Sequence, residues 1–81
     1  MTRERITMTT TTVWQLERDW AQAAAAAIRA ERAWHEIVAA DEDGDALTSA
    51  AWLALWRAEE RQRAIGHELD AARMRLQDAA A

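Results

Sequence analysis

The sequence lacks cysteine, proline, lysine, phenylalanine, tyrosine and asparagine, and it contains only two glycines. Without cysteine, the chain forms no disulfide bond and offers no thiolate for a zinc site, an iron–sulfur cluster or nucleophilic catalysis. Lysine, phenylalanine, tyrosine and asparagine are encoded by AT-rich codons, whereas the abundant alanine and arginine are encoded by GC-rich codons. We therefore interpret these absences as the base composition of a GC-rich bacterial or bacteriophage genome.

Large aliphatic side chains are also scarce. Of the 81 residues, 21 are alanine and only 12 are leucine, isoleucine or valine, so the hydrophobic fraction of 51% overstates the material for a core. Five tryptophans add burial capacity, at about 150–250 Å² each. The length allows one domain. The composition predicts a small hydrophobic core, whose remaining apolar surface must be buried against another protein surface.

Long apolar runs are absent as well. No run approaches the ~20 residues that a membrane-spanning helix requires. Arg3 and Arg5 are not followed by the apolar segment of a signal peptide. We therefore expect a cytoplasmic protein that has no contact with membranes.

Apolar residues from position 13 onward recur at alternating spacings of three and four, the a/d pattern of nearly four heptads. The pattern predicts a helix over about residues 13–40, with Thr12 and Gln15 as a capping box at its start. Residues 1–12 are rich in threonine and lack this periodicity, which predicts a flexible N-terminal segment. The predicted seam of this helix consists of Val13, Leu16, Trp20, Ala23, Ala27, Ala30, Trp34 and Ile37.

An acidic turn is predicted over residues 41–47, where Gly44 suits a left-handed backbone conformation. A second helix follows over about residues 48–79, with Thr48 or Ser49 as its N-cap and Leu47 packed against Trp52. Its seam is rich in small residues and has one polar member: Ala51, Leu55, Ala58, Gln62, Ile65, Leu69, Ala72, Leu76 and Ala79.

Two helices joined by a short turn predict an all-α fold, an antiparallel two-helix hairpin over residues 13–81. Each helix of a hairpin buries only one stripe, so much of the apolar surface is left in water. We expect the hairpin to be completed as a four-helix bundle, either by dimerisation or by docking on a larger partner protein.

Large apolar side chains crowd one turn of the second helix. Most of the circumference of this turn is occupied by Trp52, Leu53, Leu55 and Trp56. A helix that is apolar on all sides must be covered on all sides. Trp34 faces this turn across the hairpin and covers one side only. We predict a partner-binding surface of Trp52, Leu53 and Trp56 with Trp34 beneath, covered by a second copy, a separate protein or a small molecule.

The net charge of −4 equals the charge of residues 41–45, DEDGD. This string matches the opening of an EF-hand calcium loop. The match then ends, because Ala46 replaces the required glycine and Trp52 stands where the bidentate glutamate must be. We therefore interpret the segment as a solvated turn between helices.

Two pairs of residues invite a metal-binding interpretation. Glu31 and His35 are four residues apart on one helix, and His67 precedes Glu68. The chain contains no Glu-x-x-His motif of the kind found in ferritin-like sites. We predict no metal or other cofactor, and we keep a metal-binding four-helix assembly of these four residues as an alternative.

Signals for catalysis and for nucleic-acid binding are weak. Ser49 is the only serine, and no glycine-rich phosphate loop is present, so we expect a protein that is not an enzyme. Arg3 and Arg5 loosely resemble the arm of a ribbon-helix-helix protein. An acidic chain without lysine lacks the usual footprint for nucleic acid, so we expect no direct binding to it.

Two short stretches resemble the hairpin small subunit of exodeoxyribonuclease VII. They are Glu36-Ile37-Val38, which precedes Gly44, and Leu53-Ala54-Leu55-Trp56, which follows it. The match needs an insertion after Gly44 and lacks that family's second leucine after the glycine. The resemblance implies, as an alternative, a small subunit of a nucleic-acid-processing enzyme.

The sequence as a whole predicts a small helical module for protein–protein interaction. Such a module acts as an accessory, adaptor or inhibitory subunit. A bacteriophage-encoded inhibitor of a host complex is one specific form of this prediction.

Overall fold

A computed structural model describes the backbone of residues 2–40 and 46–80 and the side chains of residues 11–40 and 50–80. The backbone forms two helices, α1 (Thr2–Ala40) and α2 (Ala46–Ala80), which pack against each other along their length. The molecule is 62 Å long and 14 Å across in both other directions. The prediction of an all-α two-helix hairpin is confirmed.

The helix α1 begins eleven residues before the predicted start near residue 13. Residues 2–12, predicted to be flexible, contain no proline or glycine that would end a helix, and extending a helix is easier than nucleating one. Thr12 lies inside α1, so its assignment to a capping box is wrong. The threonine-rich composition of this segment therefore does not mark the boundary of the helix.

The bounds of α2 lie within two residues of the prediction. The helix begins at Ala46, which places Thr48 and Ser49 inside it, so neither is the N-cap. The acidic turn at residues 41–45 lies outside the described residues, and the predicted contact of Leu47 lies outside the described side chains.

The helices meet along the predicted seam. Every seam residue of α2 is buried or half-buried, and the same holds in α1 except for Trp20, which is 40% exposed. An indole is too bulky to fit between helices that approach on alanine side chains. Trp20 therefore leans out of the seam, over Gly66 of α2.

The buried core is thin. Its members among the described side chains are Val13, Ala23, Ala27, Leu69 and Ala72. Alanine lets two helices approach closely but removes little apolar area from water. Most of the large apolar side chains therefore stay partly exposed on the surface of the hairpin. Over the described residues, neither helix is long and apolar enough to cross a membrane.

Candidate protein-interaction surface

The predicted surface lies near the turn end of the hairpin. Trp52, Leu53 and Trp56 are 52%, 37% and 48% exposed, and Trp34 is half-buried. Trp34 follows Trp20 by fourteen residues, and Trp52 precedes Gly66 by the same number. Because Trp20 lies against Gly66 and the helices run in opposite directions, Trp34 lies level with Trp52.

The indole of Trp34 is incompletely satisfied. Its Nε1 is buried and has no hydrogen-bond acceptor among the described residues. Its ring centroid lies 5.0 Å from that of His35, with the two planes inclined by 59°. A buried donor without an acceptor costs about 1–3 kcal/mol. An acceptor supplied from outside the hairpin would relieve this cost.

The hairpin has two long flanks, one on each side of the seam. In an antiparallel pair, the e positions of both helices border one flank and the g positions border the other. Glu17 and Arg73 are both e positions, and their side chains form an ion pair between the helices at 3.2 Å. This pair identifies the flank that the e positions share.

All five tryptophans lie on this flank, at positions a, b or e of the heptads. Two β-branched residues, at positions b and e of α1, accompany them and are also exposed. We call this surface the tryptophan flank, and it consists of Trp14, Trp20, Ile28, Trp34, Val38, Trp52 and Trp56.

The opposite flank has a different composition. A shallow crevice on it is lined by Gln22, Ala26, Ala58 and Arg61. Among the described residues at its g and c positions, the apolar ones are all alanine. The large apolar side chains outside the seam are therefore distributed on one side. Among the described side chains, the remaining two of this kind, Leu53 and Met74, lie at f positions on the outer face of α2.

The end of this surface that lies farthest from the turn, at Trp14, was not predicted from the sequence. Trp14 is 71% exposed, the highest value among the large apolar side chains that the structure describes. Its position directly after a seam residue is the signal that could have placed it on the flank. Four exposed indoles together present on the order of 400 Å² at about 200 Å² per aromatic side chain. That area is comparable to the largest apolar patch of a typical monomer, about 300–600 Å².

Charged residues occupy the middle of the flank. A groove beside Trp20 and Gly66 is lined by Glu59, Arg63, His67 and Asp70. Arg63 also forms an ion pair with Glu60 on its own helix. Carboxylates and a guanidinium therefore separate the indoles at the two ends of the flank.

The four candidate metal ligands do not form one site within the hairpin. Glu31 Oε1 lies 3.7 Å from His35 Nε2, and both side chains are more than half exposed. His67 adjoins Gly66, at the level of Trp20, so it lies roughly 20 Å along the axis from His35. Glu68 is a g residue and belongs to the opposite flank. No group of three metal-ligating side chains occurs among the described residues.

Comparison with known proteins returns no relative. No protein-family model, no curated protein and no solved structure matches this chain. The resemblance to the exodeoxyribonuclease VII small subunit therefore has no family match beside it. The function is therefore inferred from the arrangement of the exposed indoles on the tryptophan flank.

Proposed function

We propose that this chain is a non-enzymatic helical module for protein–protein interaction, an accessory, adaptor or inhibitory subunit that binds through its tryptophan flank. The hairpin is completed as a four-helix bundle, by a second copy or by the helices of a larger partner. The observation that carries the proposal is the one-sided placement of the five indoles. Trp34, Trp52 and Trp56 form the turn end of this binding surface, and Leu53 lies beside it on the outer face of α2.

The energetics favour burial of the whole flank. Burying on the order of 400 Å² of indole gains roughly 10 kcal/mol at about 25 cal/mol per Å². Association costs roughly 4–15 kcal/mol in lost translational and rotational freedom. The exposed indoles of the turn end alone supply about half of this gain, roughly 5 kcal/mol, which lies near the lower limit of the cost. A partner that covers the flank from Trp14 to Trp52 gains the larger margin.

The proposal is tested with two glutamate substitutions in α2. Trp56→Glu places a charge on the tryptophan flank, whereas Ala54→Glu places the same charge on the opposite flank. We expect Trp56→Glu to abolish assembly or partner binding, measured by light scattering and by titration calorimetry. Ala54→Glu should bind like the wild-type chain.

The helix content of the two variants distinguishes a loss of binding from a loss of the fold. Circular dichroism should show the same helix content in both variants, because both sites are exposed. Loss of helix content in Trp56→Glu alone would assign this residue to the core and contradict its role in recognition. Unchanged binding by Trp56→Glu would also contradict the proposal.

A larger partner is sought by affinity capture from the source cells. The captured protein is identified by mass spectrometry, purified and titrated against the wild-type chain and both variants. A partner of the proposed kind binds the wild type and Ala54→Glu but not Trp56→Glu. A protein that binds all three chains equally does not use the tryptophan flank.

A further inference from the structure

We propose that the occupant of the tryptophan flank is a basic amphipathic helix of a partner protein. The apolar face of this helix covers the indoles, and its lysine or arginine side chains meet the carboxylates that lie between them. The inference rests on the proposed function, and it names the chemistry of the partner.

The tryptophan flank carries an excess of negative charge. Over the described side chains, its b and e positions hold four carboxylates and two guanidiniums, whereas the g and c positions of the opposite flank hold four of each. The apolar flank is therefore also the acidic one, and charge complementarity favours a partner that supplies cations. The charged residues of the tryptophan flank are Glu17, Glu31, Glu59, Asp70, Arg63 and Arg73.

Two of these carboxylates form no ion pair with the described residues. Glu59 and Asp70 line the groove beside Trp20, and both side chains are exposed. Arg63 lies between them along α2, but its ion pair is with Glu60 on the outer face of the helix. The two carboxylates can therefore meet cations that come from outside the hairpin.

A third carboxylate faces Glu59 across the seam. Glu31 lies two heptads after Glu17, and Glu59 lies two heptads before Arg73, so both are displaced equally toward the turn. In an antiparallel pair such a displacement preserves which e positions face each other. Because Glu17 and Arg73 meet as an ion pair, Glu31 and Glu59 face each other in the same way but carry like charges. One cation of a partner, placed between them, would neutralise both.

Indoles border these carboxylates. Trp56 lies three residues before Glu59, and residues three apart are neighbours on the surface of a helix. Trp20 lines the groove together with Glu59 and Asp70. A cation is attracted by the face of an indole as well as by a carboxylate, and a guanidinium can stack on the ring while it donates hydrogen bonds. The combination favours lysine and arginine over other polar residues in the partner.

The shape of the flank fits a helix. From Trp14 to Val38 the flank extends about 36 Å, which a helix of about 25 residues covers at 1.5 Å per residue. The described residues form helices and offer no strand edge, so an extended segment would find no backbone partners here. A helix satisfies its own backbone hydrogen bonds, and it can pack between α1 and α2 as in a helix bundle.

A second copy of this chain is less favourable as the occupant. It would bring the same excess of negative charge to the interface, since its flank holds the same residues. Two such flanks together hold twice as many carboxylates as guanidiniums, and like charges that meet across an interface oppose association. The charge of the flank therefore favours a partner with a different sequence.

The first test measures which charge the flank prefers. The probes are two synthetic helical peptides of about 25 residues, one of leucine and lysine and one of leucine and glutamate, with leucine at the same positions. Neither peptide contains tryptophan, so binding is followed through the fluorescence of the five indoles of the chain. We expect the leucine–lysine peptide to bind roughly tenfold more tightly. Equal affinities, or tighter binding of the leucine–glutamate peptide, would overturn the inference.

The second test assigns the preference to one flank. Replacing Glu31 and Glu59 together by glutamine removes two carboxylates from the tryptophan flank. Replacing Glu36 and Glu68 by glutamine is the matched control on the opposite flank, and all four side chains are exposed. We expect the first double variant to bind the leucine–lysine peptide roughly fivefold more weakly than the wild type does, with unchanged helix content. The control should bind like the wild type, and an equal loss in both variants would overturn the inference.

The outcomes separate this inference from the proposed function. A captured and purified partner that distinguishes Trp56→Glu from Ala54→Glu supports the function. If that partner binds the glutamine variant of Glu31 and Glu59 like the wild type, the function stands and the basic helix is overturned. A wild-type chain that dimerises through the flank has the same consequence. If neither partner binding nor self-association responds to Trp56→Glu, both proposals fail.

Discussion

The indole of Trp20 lies against Gly66, with Nε1 3.4 Å and Cδ1 3.6 Å from the point that a Cβ at Gly66 would occupy. Because Gly66 has no side chain, the indole of Trp20 can lie over α2 at the edge of the seam instead of between the two helices. This contact also fixes the register of the hairpin. The levels of Trp34, Trp52 and the candidate metal ligands all follow from it.

Gly66→Ala should be neutral or should stabilise the chain by up to about 1 kcal/mol. A glycine inside a helix costs about that much relative to alanine, and the added methyl group would lie at ordinary contact distance from an indole edge that can shift. The measurement is chemical denaturation at a fixed protein concentration. Gly66→Val serves as the contrast, since its branched side chain would displace Trp20 and should lower the free energy of unfolding.

The seam could be predicted from the sequence because heptad spacing alone determines it. Leu55, Leu69 and Leu76 are buried or half-buried as their positions require. The helix start near residue 13 could not be predicted, since threonine weakens a helix without ending it. Only a proline or glycine in residues 2–12 would have marked a boundary, and neither is present.

The candidate surface could be predicted only in part. The crowding of Trp52, Leu53 and Trp56 in one turn is visible in the sequence. The membership of Trp14 is not, because it lies about 30 Å from that turn along the axis. It joins the same flank only once the pairing of the two helices is known, as the ion pair of Glu17 with Arg73 shows.

Breaking the ion pair of Glu17 and Arg73 should have a small effect. Both side chains are about half exposed, and exposed pairs contribute about 0.2–1 kcal/mol. A double-mutant cycle with Glu17→Gln and Arg73→Gln should give a coupling energy in this range. Raising the salt concentration to about 1 M should remove most of the coupling, because the Debye length falls to about 3 Å. A coupling that is insensitive to salt would mean that the pair is shielded from solvent, for example by a second copy.

Leu69→Ala should destabilise the hairpin severely. Leu69 is 5% exposed and packs in a cluster with Val13 and Ala72, so its truncation leaves a cavity that costs about 2–5 kcal/mol. In a chain of this size, that loss is a large share of the total stability. Thermal unfolding followed by circular dichroism measures it. Met74→Ala, at a residue that is 65% exposed, is the control and should leave the unfolding midpoint nearly unchanged.

Trp34→Phe should separate the stability of the hairpin from its assembly. The substitution removes the buried Nε1 donor, which has no acceptor among the described residues, and it keeps most of the aromatic contact area. Removing an unpaired buried donor is nearly neutral or stabilising, so we expect the free energy of unfolding to change by less than about 1 kcal/mol. Trp34→Ala, which also removes the ring, should cost about 2 kcal/mol or more.

The same variant reports on the partner. If a second copy or another protein supplies the acceptor for Nε1, Trp34→Phe weakens binding while the isolated hairpin keeps its stability. Sedimentation equilibrium, compared with unfolding at low protein concentration, distinguishes the two effects. A fall in hairpin stability of more than 2 kcal/mol in Trp34→Phe would show that Nε1 is hydrogen-bonded within the chain. The acceptor would then belong to the hairpin, and Trp34 would be part of its core rather than of its binding surface.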